Sequence, residues 1–159
     1  MPEWVGSLKH LGKIHLMWSL LEEDHIPELL GKLPKLMLFS LDSYAYVGKK
    51  LVFREEAFLI LRQLYITNLL ALREVRFEKG ASPKMELIEF SDGDLKSEII
   101  GINHLPVLKQ ISLGRKGRVA NLGMLQAEVD THPSNPVLQL KQDHSQHDLG
   151  DCVRESVVV

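Results

Sequence analysis

The 159-residue sequence holds a single cysteine, Cys152, so no disulfide can form within the chain and a covalently stapled mini-domain is excluded. Aromatic residues make up only 6% of it, and no apolar run reaches the roughly 18 residues that a membrane-crossing helix needs. An excess of one charge is missing too. The formal net charge is -2, which leaves no electrostatic footprint for nucleic acid or anionic lipid. Met1-Pro2-Glu3-Trp4 runs on to Lys9 and Lys13 without the apolar core of a secretory leader. A phosphate-binding loop is lacking as well. The nearest approach, Gly6 to Ile14, has one residue too many between Gly6 and Gly12, and Ile14 follows Lys13 where Ser or Thr would hold the metal.

What is present is leucine, 28 residues of it, within an ordinary globular balance of 45% hydrophobic and 25% charged residues. The leucines are periodic. A pattern of four apolar positions, L-x-x-L-x-x-L-x-L with substitutes, occurs at Leu8, Leu11, Ile14, Leu16, then at Leu33, Leu36, Phe39, Leu41, and then at Phe58, Leu61, Leu64, Ile66. A weaker copy has Met85, Ile88 and Phe90, and a clean one has Leu105, Leu108, Ile111 and Leu113. The third apolar positions, Ile14, Phe39, Leu64, Ile88 and Ile111, are separated by 25, 25, 24 and 23 residues. Those steps fall inside the ~20–29 residue range of leucine-rich repeats. The last two apolar positions of each copy alternate, as inward side chains on a strand do. No such unit can bury its apolar face alone, so neighbours stack and their strands become a parallel sheet. The expected fold is therefore an α/β leucine-rich-repeat solenoid of about five repeats, with a curved parallel β-sheet on its concave face.

Between strands the chain must return along the convex side. Leu20 to Leu30 suits a helical turn before Gly31, and Asp42–Lys50, with Tyr44, Tyr46 and Gly48, reads as a loop. Leu69, Leu72, Val75 and Phe77 form an additional apolar series before Gly80, expected as an outer strand or turn of the third repeat. Beyond Leu113 the repeat stops. After the basic turn Arg115-Lys116-Gly117-Arg118, the apolar residues Val119, Leu122, Leu125 and Val129 are spaced three or four apart, as on one helix face. That helix is expected to cap the last repeat, ending at His132-Pro133-Ser134-Asn135-Pro136, with Val137–Leu140 as a last short strand. The expected organisation is repeats over 1–114, a C-terminal cap over 115–140 and a disordered tail over 141–159. Because the pattern opens directly on repeat one, an uncapped first core is expected, and with it poor solubility of the isolated chain.

Solenoids of this kind recognise partners on the concave sheet, and the register states which side chains are displayed there. The position between the two strand apolars gives His15, Ser40, Tyr65, Glu89 and Ser112. The position after gives Met17, Asp42, Thr67, Ser91 and Gly114, and the position before gives Lys13, Leu38, Gln63, Leu87 and Gln110. Tyr65, Gln63 and Arg62 with Glu86 and Glu89 are the central contact patch, since tyrosine and arginine are enriched where binding energy concentrates. The competing reading is a solvated face without a partner. No catalytic, cofactor or metal site is expected. His144 and His147 stand between Asp143 and Asp148, but no second ligand cluster sits at matching spacing. Cys152 has only Arg154 as a basic sequence neighbour, and no nucleophile–base arrangement surrounds it.

Several segments resemble the C-terminal repeat region of plant nucleotide-binding leucine-rich-repeat immune receptors, the intracellular disease-resistance proteins of cereals. Pro2-Glu3-Trp4-Val5 with Ser7-Leu8-Lys9-His10-Leu11 is similar to the start of a repeat in that family. Val75-Arg76-Phe77-Glu78-Lys79-Gly80-Ala81-Ser82-Pro83 resembles its glutamate-glycine-alanine-x-proline link, and Val129-Asp130-Thr131-His132-Pro133 with Asn135-Pro136-Val137-Leu138 resembles the segment after its last repeat. The resemblance spans roughly residues 1–150. It implies a cytoplasmic recognition or autoinhibitory module of the defence response, monomeric or part of a larger chain. Its partner would be a protein: a pathogen effector, a guarded host protein or the receptor's own nucleotide-binding domain. The nucleotide-binding and coiled-coil parts of those receptors have no counterpart here. Two other readings compete. Ile26-Pro27-Glu28-Leu29-Leu30-Gly31-Lys32-Leu33 resembles a leucine-rich receptor ectodomain, yet no cysteine pair or N-glycosylation sequon accompanies it. A leucine-rich adaptor for protein degradation needs a partner-binding helix ahead of Leu8.

Overall fold

The computed structural model describes residues 8–22, 26, 29–91, 97–114, 120–141 and 157–158. Five strands appear where the four-position pattern places them: β1 (Lys13–Met17), β2 (Leu38–Asp42), β4 (Gln63–Thr67), β6 (Leu87–Ser91) and β8 (Gln110–Leu113). Three more strands, β3 (Lys50–Phe53), β5 (Glu74–Phe77) and β7 (Glu98–Ile100), lie between them in sequence. A helix, α1 (Leu122–Thr131), and a strand, β9 (Val137–Leu140), follow β8, and Val157–Val158 form β10. The strands sort into two parallel sheets. The inner one runs β10-β1-β2-β4-β6-β8-β9 and the outer one β3-β5-β7.

The inner register follows the leucine spacing residue by residue. Ile14 pairs with Phe39, Phe39 with Leu64, Leu64 with Ile88, Ile88 with Ile111 and Ile111 with Leu138. All but Leu138 are buried, as are Leu16, Leu41, Ile66, Phe90 and Leu113 two residues on. One carbonyl ahead of each strand accepts two N–H groups from the next repeat, which locks each unit to its neighbour. Gly12 serves Met37 and Leu38, Met37 serves Arg62 and Gln63, Arg62 serves Glu86 and Leu87, and Glu86 serves Lys109 and Gln110. β9 extends the sheet by a sixth repeat-like strand, Val137 N–H donating to the Lys109 carbonyl at 2.8 Å.

The outer sheet has its own period. Leu51, Val75 and Ile99 stand in register and are buried against the core. The outer strand or turn expected from Leu69, Leu72, Val75 and Phe77 contains β5; its partners β3, which starts at the last residue of the expected Asp42–Lys50 loop, and β7 have no counterpart among the expected elements. Between the sheets runs an aromatic stack. Phe58 lies 5.9 Å from Phe39 and 5.1 Å from Phe53, and Phe53 lies 4.8 Å from Phe77, centroid to centroid. The next place in the Phe53–Phe77 series is Gly101, at φ 86°, where an added Cβ would sit 2.2 Å from the Phe77 carbonyl oxygen. Here the chain leaves β7 for a single 3-10 turn, Ile102–His104, and only glycine permits that turn so close to β5.

Past β8 the outer sheet ends in a side chain. Asn121, which precedes α1, donates from Nδ2 to the Ile99 carbonyl at 2.8 Å and accepts the Ile99 N–H at Oδ1 at 3.1 Å. One amide thus does for the edge of β7 what a further strand would do, and covers an otherwise open edge. α1 buries Leu125 and Val129 and packs on the Ile102–His104 turn, β7 and β9. His132, buried just after it, approaches the Ile102 carbonyl with Nε2 at 2.9 Å, while its Nδ1 accepts the Ser134 N–H at 3.2 Å. The helix therefore seals the convex side of the last repeats. The end of the inner sheet is less covered, with Val137 61% and Leu140 53% exposed.

The helical turn expected before Gly31 is present in part, Leu30 N–H bonding to the Ile26 carbonyl at 3.0 Å. The basic turn at Arg115–Arg118, Val119, and the pairs His144/His147 and Asp143/Asp148 with Cys152 lie outside the described residues, as does 142–156 of the expected disordered tail. Val157 and Val158, also in that tail, are laid parallel on β1 opposite Ile14 and His15.

Candidate functional site

The parallel register gathers the displayed side chains of the inner sheet into three rows on its concave face. The middle row runs His15, Ser40, Tyr65, Glu89, Ser112 and Gln139. Its depth alternates with residue size. Ser40 and Ser112 are 3% and 0% exposed, so they form the floor, while His15, Tyr65 and Glu89 rise from it. Short hydroxyls between long neighbours make shallow notches on either side of the Tyr65–Glu89 pair.

Arg62, Gln63 and Tyr65 of the third repeat lie directly beside Glu86 and Glu89 of the fourth, through the β4–β6 register and the Glu86 N–H bond to the Arg62 carbonyl at 2.9 Å. All five are at least partly accessible and Arg62 is exposed. The acidic members are engaged within the fold. Lys109 Nζ reaches Glu86 at 3.2 Å, and Lys141 Nζ crosses β8 to reach Glu89 at 2.7 Å, where Ser91 Oγ also donates at 3.0 Å. At the C-terminal end Gln110 Nε2 donates to Ser112 Oγ at 3.1 Å and to Gln139 Oε1 at 2.7 Å. At the other end His15 Nε2 lies 4.0 Å from the Asp42 carboxylate, which also accepts from Ser43 Oγ at 2.8 Å. The face is thus two polar networks flanking a central tyrosine. It offers hydrogen-bonding groups, charges of both signs and one aromatic surface, which is the chemistry of protein contact.

Gln139 and Lys141 belong to this face but were outside the five-copy ladder, because Val137–Leu140 carries only the last two apolar positions of the pattern. Beside the face lies a group that the ladder also misses. Trp18 and Tyr44, just past β1 and β2, stack with centroids 5.0 Å apart and planes 25° apart, both exposed. Continuing the ladder one step beyond Met17 and Asp42 would have reached the start of this group. Among the described residues no group of three or more His, Cys, Asp or Glu gathers as a metal site, and no helix is long and apolar enough to cross a membrane.

A family model described as a leucine-rich repeat region matches residues 1–138. The chain belongs to the leucine-rich-repeat family. This leucine-rich-repeat chain is also similar to an Arabidopsis thaliana protein provisionally named a disease resistance protein, with 34% identity over 120 residues. That alignment covers 75% of the chain and 13% of the relative, so the chain spans a small part of that protein's length. No solved structure matches it. The resemblance to the repeat region of plant disease-resistance proteins, read above from short segments, is borne out, and so is the parallel-sheet solenoid with a C-terminal helix.

Proposed function

We propose that this leucine-rich-repeat chain is a recognition module of plant immunity that binds a protein through its concave face and carries out no reaction of its own. The observation that carries the reading is the placement of Tyr65 at the middle of a six-strand register, with Gln63 on its own strand and Arg62 just ahead of it, and Glu89 on the next strand with Glu86 just ahead of that one. A rigid sheet presenting an aromatic anchor among polar neighbours is the form in which binding hot spots recur. The similarity to a plant protein named for disease resistance supports the defence setting. Within that setting the partner is a pathogen effector, a guarded host protein or the nucleotide-binding domain of a receptor, met inside the cell by the chain as a monomer or as one part of a longer product. Neither the ectodomain nor the degradation-adaptor reading draws support from these features.

The test is site-specific photo-cross-linking in plant extract, with a benzophenone side chain at position 65 on the concave sheet or at position 76 on the outer one. The reading requires a discrete protein adduct from position 65 that is lost on Arg62→Glu, and none of that size from position 76. Equal adducts from both faces, or none from position 65, would overturn it.

A further inference from the structure

The Trp18–Tyr44 pair belongs to an exposed surface just past β1 and β2. Trp18 is 65% exposed, Leu20 60%, Tyr44 41% and Val47 39%. Backbone hydrogen bonds hold the two segments that carry them side by side. Trp18 N–H bonds the Ser43 carbonyl at 3.0 Å, Leu20 N–H the Tyr44 carbonyl at 3.1 Å, and Val47 N–H the Leu21 carbonyl at 2.9 Å. Trp18, Leu20 and Tyr44 are also held at φ 54°, 50° and 59°, in the left-handed region that disfavours large side chains. The repeat in register shows the cheaper choice. Met17, Asp42 and Thr67 are paired across the sheet, so the residues after them, Trp18, Ser43 and Asn68, are equivalent, and all three have positive φ. Asn68 tolerates that conformation and exposes no apolar ring; Trp18 does neither.

The charge beside the aromatic pair and Leu20 is negative, while the exposed Lys49 and Lys50 lie beyond Val47. Asp42 adjoins Ser43 and Tyr44, its side chain 24% exposed, and the exposed Glu22 follows Leu21, which is bridged to Tyr46. One face of the Trp18 ring is covered by Tyr44, which leaves the other for a cation. We propose that this lateral surface binds a protein segment presenting an arginine or lysine among apolar residues, the cation over the aromatic pair and near Asp42, the apolar residues on Leu20 and Val47. Charge complementarity selects this occupant over a second copy of the chain. A two-fold contact would bring the same patch against itself and set Asp42 against Asp42. The site adjoins the concave face at Asp42, which also faces His15 at 4.0 Å, but does not rest on the reading of Tyr65.

The probes are two capped peptides, acetyl-LRLRL-amide and acetyl-LELEL-amide, titrated into the full chain carrying Trp4→Phe so that Trp18 is the single reporting indole. The arginine peptide is expected to saturate a change in Trp18 emission and the glutamate peptide to bind at least tenfold more weakly. Asp42→Asn and Tyr44→Ala are each expected to weaken the arginine peptide by about two- to fivefold, the range of an exposed cation–aromatic contact. Tyr44→Phe retains binding, and unchanged melting temperatures establish that the variants are folded. Equal binding of both peptides, absence of binding, or an emission change that follows self-association in sedimentation would each overturn the proposal.

Discussion

Replacing Gly101 by alanine places a methyl group where the structure has a carbonyl. The new Cβ would lie 2.2 Å from the Phe77 oxygen and 3.1 Å from its carbon, and both are backbone atoms that cannot swing aside. Two costs add. Holding a Cβ-bearing residue at φ 86° costs about 1–2 kcal/mol. Relieving the contact also forces β7 away from β5 by roughly 1 Å, which weakens one or two backbone hydrogen bonds at about 1 kcal/mol each. Some loss of packing at Ile99 and at the Asn121 clasp follows, and the reduced freedom of the unfolded chain returns about 0.4–1 kcal/mol. With the packing loss at about 1 kcal/mol, the sum is a destabilisation of about 2–5 kcal/mol, or roughly 4–20 °C in melting temperature for a chain of this size. Gly123 supplies the control. It lies in the first turn of α1 with nothing within 4 Å of its would-be Cβ, so Gly123→Ala should stabilise by about 0.5–1 kcal/mol. Urea and thermal unfolding followed by circular dichroism measure both. A Gly101→Ala chain melting within about 2 °C of the unsubstituted one would refute the reasoning, because it would mean that β5 and β7 do not approach as described.

Substitutions at three further residues probe other joints of the fold. Asn121→Ala removes both bonds to Ile99 and should cost about 1–3 kcal/mol, with the Ile99 amide exchanging faster in deuterium while the β4 amides keep their protection. His132→Leu leaves the Ile102 carbonyl and the Ser134 N–H without their buried partner and should cost about 2–3 kcal/mol in urea unfolding. Phe58→Ala opens a cavity among Phe39, Phe53 and the strand leucines and should cost about 3–5 kcal/mol, whereas Phe58→Leu should cost markedly less by the same measurement.

The inner sheet was legible in the sequence because one physical requirement, a side chain buried at the same place in every turn, recurs often enough to establish its own register. Ile14, Phe39, Leu64, Ile88 and Ile111 pair as their spacing states. The outer sheet was legible only at β5. β3 alternates as β5 does, with Leu51 and Phe53 buried, but it is a single short run starting at the last residue of the stretch read as a loop; β7 has only three residues and buries Ile99 while Gly101 takes the place that Phe53 and Phe77 hold in the other two repeats. A side chain that completes a sheet, as Asn121 does, has no periodic signature at all. On the concave face the ladder gave which residues are displayed but not how deep they sit. Ser40 and Ser112 share the row of Tyr65, yet their larger neighbours turn them into floor. The Trp18–Tyr44 surface escaped for a related reason: it begins one residue beyond the strand, where alternation ends and the backbone turns left-handed.

The central claim is that binding resides on the concave sheet around Tyr65. It is tested most directly by the affinity of the protein cross-linked at position 65, once identified, for three forms of the chain: unsubstituted, Tyr65→Ala and Arg76→Ala. Arg76 is exposed on the outer sheet and pairs with Glu74 at 2.6 Å, so its loss alters a surface of similar polarity on the opposite face. The account predicts at least a roughly 30-fold weaker Kd for Tyr65→Ala, as for a hot-spot aromatic, and less than about a twofold change for Arg76→Ala. An unchanged Kd for Tyr65→Ala, or a larger loss for Arg76→Ala, would contradict it.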